Sequence, residues 1–165
     1  MTEFSANLGF LWADLSLPEA IHAAKAAGFD AVECHWPYDV PALKVRAALK
    51  ETGLPMLGLN PGRGHVAAGD NGLAALPERQ TEARAAIDEA LIYARAIGAR
   101  NVHVMAGNAS GAAAQHAFVE NLTYACAKAV EDEISILIEP LNVYDAPRYF
   151  FSATEQAIEI ISTVG

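Results

Sequence analysis

Short apolar runs alternate along the chain with longer stretches in which apolar residues recur every three or four positions. The short runs read as strands: Phe4 to Leu8, Ala31 to Cys34, Pro55 to Leu59, Asn101 to Met105 and Ser135 to Ile138. The last is apolar on both faces, which predicts a buried parallel strand. The stretches between them read as helices. Ser16-Leu-Pro-Glu19 has capping-box spacing, with Leu17, Ala20, Ile21 and Ala24 on one face and Gly28 at the end. Asp39 and Pro41 open a second helix that Gly53 closes. Pro77 to Ile97 carries Ala83, Ile87, Leu91 and Ala94 at helical spacing. A fourth helix runs from about Ala113 to Asp132, with Phe118, Leu122, Ala125 and Ala129 inward. Ser152-Ala-Thr-Glu155 repeats the capping-box spacing ahead of a fifth helix that reaches Val164.

Five strand–helix units imply an α/β domain, residues 1–165, with a parallel sheet and right-handed crossovers. Two architectures fit. One is a complete flavodoxin-like doubly wound sheet. The other is the first five units of an eight-unit (β/α)8 barrel. Periodicity does not choose between them. The glycine-rich stretch from Asn60 to about Leu76 is long for a loop, which predicts a functional or mobile segment.

Acidic residues number 20 and basic residues 11, a formal charge of −9, and the pI is near 4.9. Such a surface argues against nucleic acid and anionic membranes as partners. No apolar run is long enough for a membrane span. The N-terminus lacks a basic and apolar leader, and Cys34 and Cys126 form no CxxC pair, so a reducing cytoplasm is the expected setting.

In a parallel α/β fold the site lies beyond the carboxyl ends of the strands. Every strand here delivers a polar group to that end: Asn7, then Glu33 and His35, then Asn60, then His103, then Glu139 and Asn142. Glu139 stands out, because a carboxylate closing a buried strand is costly unless a metal, a cation or hydrogen bonds compensate it. His103 alternates with Val102 and Val104 and so faces away from them. His65 sits in the long loop, and His22 and His116 read as helix surface or packing residues. Gly62-x-Gly64-x-x-Ala67 matches a dinucleotide fingerprint formally, but no helix opens after it to receive a pyrophosphate.

These same residues carry a resemblance. The segments FSANLGFLW, AVECHWPYD, AAGDNGLAALPER, YARAIGARNVHVMAG and above all LIEPLN resemble the hydroxypyruvate isomerase family, within the xylose-isomerase-like barrels, in order from Phe4 to Gly165. The resemblance implies a (β/α)8 barrel of which this sequence holds five units. It implies isomerisation of hydroxypyruvate to tartronate semialdehyde, with Glu139 as one of two proton-moving glutamates. It also implies a divalent ion, Mg2+ or Mn2+, with Glu139 as a ligand. The family's later strands bring the second glutamate and the remaining ligands, and none of them is in this sequence. A related isomerase or epimerase of another sugar acid, such as a 2-oxo-tetronate, stays open, as does a non-catalytic half-barrel that pairs with itself or another chain. The DNA-repair endonucleases of the same superfamily fit the acidic charge poorly.

Overall fold

The computed structural model describes residues 2–165. Five strands and five helices alternate: β1 (Ser5–Asn7), α1 (Leu17–Ala26), β2 (Ala31–Glu33), α2 (Ala42–Thr52), β3 (Gly58–Leu59), α3 (Gln80–Ile97), β4 (Asn101–His103), α4 (Ala112–Ala129), β5 (Ser135–Leu137) and α5 (Thr154–Val164). β1 pairs with β2, and β3, β4 and β5 pair in turn, all parallel. The two groups join through Val32. Its N–H donates to the Pro55 carbonyl at 3.0 Å, and its carbonyl accepts from the Leu57 N–H at 2.7 Å. Strand order in space therefore equals strand order in sequence. A doubly wound sheet reverses direction at a switch point, and this sheet does not. The architecture is the first five units of a TIM barrel.

One face of the sheet packs on the helices. Ala6, Val32 and Val102 are buried there, against Ile21, Ile87, Leu91, Phe118 and Leu122. The helix faces are those the periodicity predicts, with one addition. Asn121 on α4 is completely buried; it donates to the Ala74 carbonyl at 2.8 Å and accepts from the Arg84 guanidinium at 3.2 Å. A buried amide is stable only with such partners, and here they tie the long loop to α4.

Three expectations need correction. β5 is not buried on both faces. Among the described residues it pairs only with β4, and Leu137 is 45% exposed. A strand's sequence does not record whether both its neighbours are present. The Ser152–Glu155 spacing does not cap α5, which starts at Thr154 after Ala153 without a side-chain cap. At α1 the corresponding pair does engage, since the Glu19 carboxylate accepts from the Ser16 N–H at 3.0 Å and from its hydroxyl at 2.6 Å. Finally, the third helix begins with a 3-10 turn, Pro77–Arg79, and only then becomes α3.

Candidate active site

The sheet register sets the site. Asn7 pairs with Glu33 and His103 with Leu137, so the last residues of these strands form a row across the open face. Asn60 follows β3, and its N–H donates to the His35 carbonyl at 2.8 Å. Asn7, Glu33, His35, Asn60, His103 and Glu139 all line one cleft of about 340 Å3. Six of the seven strand-end residues singled out from the sequence thus meet. Asn142 is not in the lining. Its side-chain oxygen accepts from the Tyr144 and Asp145 N–H groups, each at 3.0 Å, and its amide donates to the Asp145 carboxylate at 2.7 Å. Asn142 shapes the turn after β5.

His103 and Glu139 stand on neighbouring strand ends, with Nδ1 and Oε2 3.9 Å apart. The histidine side chain is only 15% exposed, whereas the glutamate is 63% exposed. Burial, aided by the nearby His35, pushes the His103 pKa down to about 4. At neutral pH its ring is uncharged, so the contact with Glu139 is not an ion pair. The distance also exceeds a direct hydrogen bond. The His103 Nε2 atom is buried with no hydrogen-bond partner.

His35 is clamped. Its ring meets Phe10 edge-on at 4.9 Å and lies 4.9 Å from the Trp36 ring. A Cβ on Gly9 would come within 2.1 Å of it, so only glycine leaves space for the imidazole. Burial lowers the His35 pKa, reinforced by Arg63 and opposed by Glu33 and Glu139. Cys34, also in the lining, is a buried thiol pushed up to about 12 and is not a nucleophile at neutral pH.

The long loop leaves the cleft at Asn60 and is well tied down. Gly72 and Gly107 bring its backbone against the segment after β4. Asp70 accepts from the His65 N–H and the Arg79 guanidinium, each at 2.6 Å. Arg63, in this loop, lays its guanidinium 3.8 Å from the centre of the Trp36 ring. The strand-end rule missed Arg63 because it lies beyond any strand. A lone cation in a glycine-rich loop, G-R-G, was the available signal.

The donor set does not make a metal centre by itself. Among the described residues no three His, Cys, Asp or Glu side chains converge on one point. Glu139 offers one exposed carboxylate beside a neutral imidazole, so water would have to supply most of the octahedral shell that Mg2+ or Mn2+ takes. No chemical step is therefore assigned to a metal.

A family model described as a xylose isomerase-like TIM barrel matches residues 21–165. The chain belongs to that family. Among curated relatives of this xylose isomerase-like chain, 2-oxo-tetronate isomerase of Cupriavidus necator is 38% identical over 169 residues, covering 100% of this chain and 65% of the relative. Hydroxypyruvate isomerase of Escherichia coli is 34% identical over 169 residues, covering 100% of this chain and 66% of its own length. The chain thus spans just under two thirds of these relatives. A solved structure named AP endonuclease, family 2, from Brucella melitensis superposes with a TM-score of 0.94 at 35% identity, over 100% of this chain and 65% of that one. D-psicose 3-epimerase from Clostridium cellulolyticum, at 13% identity and a TM-score of 0.76, shares the fold; 99% of this chain and 60% of that one align. No helix among the described residues is long and apolar enough to cross a membrane.

Proposed function

We propose that this site moves a proton between adjacent carbons of a small hydroxy-carbonyl acid, hydroxypyruvate or a 2-oxo-tetronate. The observation that carries the reading is the pairing of Glu139 with a neutral, buried His103 at 3.9 Å in a cleft lined from all five strand ends. The names of the two relatives supply the substrate class.

The chemistry follows from the two groups. Glu139 takes the C3 proton of hydroxypyruvate, and the electron pair moves into an enediolate. The same carboxylate returns the proton to C2, and the oxygens exchange a proton to give tartronate semialdehyde. Uncharged His103 can donate a hydrogen bond to the developing oxyanion. General base catalysis of this kind contributes about 10²- to 10⁴-fold. Asn7 has a side-chain amide left to bind substrate, because its oxygen already accepts from the Gly9 N–H at 2.9 Å.

The name of the Brucella structure raises a second reading, action on DNA. A charge of −9 and a cleft carrying Glu33 and Glu139 are the wrong electrostatics for a phosphate backbone.

The test is NMR in D2O with hydroxypyruvate and with a 2-oxo-tetronate. The chain should wash deuterium into the exchanging carbon of one of them, and Glu139→Gln should slow this by about 10²-fold or more. Equal exchange by the two proteins, or none with either substrate, would overturn the proposal.

A further inference from the structure

The proposed substrates are anions, and the cleft is acidic. Glu33 and Glu139 line it, and the two imidazoles that join them are held toward their uncharged forms. A carboxylate entering such a cleft is repelled unless a cation opposes that charge. Most cations near this end of the sheet are engaged or distant. Arg79 is held by Asp70 and Glu82, and Arg84 by Asn121. Arg148 lies near Gly69, across the long loop.

Arg63 is different. Its guanidinium stacks on Trp36, and the Trp36 ring abuts His35 in the cleft wall. Among the described residues it makes no ion pair. Its backbone is fixed, since the Gly72 N–H donates to the Arg63 carbonyl at 3.1 Å. Its charge is felt at His35. Stacking holds an arginine fork flat while leaving its N–H edges free, the arrangement suited to two parallel hydrogen bonds to a carboxylate.

We propose that Arg63, braced on Trp36, binds the carboxylate of the substrate and makes the site select sugar acids over neutral ketoses. The inference rests on the isomerase reading and adds the group that recognises the acid end. The reacting carbons then face His103 and Glu139 while the carboxylate lies over the His35–Trp36 edge of the cleft.

The experiment uses the fluorescence of Trp36. The chain has two tryptophans, so Trp12→Phe leaves Trp36 as the sole reporter. Hydroxypyruvate and its neutral counterpart, dihydroxyacetone, are titrated into this protein and into its Arg63→Gln and Arg63→Lys derivatives, with circular dichroism confirming that each is folded. Loss of a charge-assisted pair should weaken hydroxypyruvate binding by about 10- to 100-fold in Arg63→Gln. Arg63→Lys should recover part of that loss, and dihydroxyacetone binding should not change. Unchanged hydroxypyruvate affinity in Arg63→Gln would overturn the inference while leaving the isomerase reading intact. So would equal loss of both ligands, which would mean that Arg63 merely props Trp36. Failure of the parent protein to bind hydroxypyruvate or a 2-oxo-tetronate would overturn both.

Discussion

On the β4 side of the cleft the chain is crowded, and on the β5 side it is not. β4 has a strand on each flank, its terminal His103 is mostly buried, and the loop above it touches the long loop backbone to backbone. β5 has one flanking strand among the described residues, Leu137 is 45% exposed, and Glu139 stands largely in solvent. His103, proposed to hydrogen-bond the developing oxyanion, thus lies on the stiff side, and Glu139, proposed to move the proton, lies on the loose side. The chemistry of each residue type is readable from the chain, but its environment depends on how many elements surround it.

The largest way to break the contrast is to wedge the stiff side apart. Gly107 has a φ of +96°, and a Cβ there would come within 2.2 Å of the Gly72 carbonyl oxygen. Backbone cannot move aside as a flexible side chain can. Gly107→Ala should cost about 3 kcal/mol, from the left-handed conformation and the overlap together. Gly69 is the control, with nearly the same φ, +94°, and nothing nearer than the Arg148 guanidinium at 3.7 Å. Gly69→Ala should cost about 1 kcal/mol from conformation alone. Urea unfolding midpoints measure both, and equal losses would show that the close approach is not what stiffens this side.

Asp70 offers a smaller and pH-dependent test. Its carboxyl is held below the usual value chiefly by the Arg79 hydrogen bond, with burial opposing. Because the folded value is depressed, the carboxylate contributes stability above its unfolded value, near 4, and that contribution disappears as pH falls through the folded value. Asp70→Asn should cost about 1 kcal/mol at pH 7, since the pair is partly solvated. The gap between the two proteins should close below about pH 4. A pH-independent gap in urea titrations would mean that the loop is held by something other than this charge.

Much of the fold was legible in the sequence because helix faces and strand runs are local patterns. Ala83, Ile87, Leu91 and Ala94 are buried as their spacing predicts, and Gly53 and Gly98 end their helices with positive φ. The strand-end rule brought six residues into one cleft for the same reason, since position along a strand fixes which end and which face a side chain takes. Environment was not legible. Glu139 reads as a carboxylate closing a buried strand, yet it is exposed, because β5 lies at an edge. His103 reads as a strand-end residue facing away from two valines, and nothing in that position announces the burial that pushes its pKa down to about 4. Arg63 reaches Trp36 across 27 residues of chain, a contact that no local pattern encodes. Whether β3 lies beside β2 or beside β1 also decides barrel against doubly wound sheet, and that too is long-range information.

The smallest expected effect lies on the loose side. Asn142 closes the turn after β5 with three hydrogen bonds, yet that turn is exposed, so water replaces them when the amide is removed. Asn142→Ala should therefore cost only about 0.5 kcal/mol. Its sharper consequence is local: the Tyr144 and Asp145 N–H groups lose their acceptor, so hydrogen exchange at these two amides should accelerate while amides of β4 keep their protection. If β4 amides accelerate as well, the two sides of the cleft open as one unit, and Glu139 shares the stiffness of the wall that faces it.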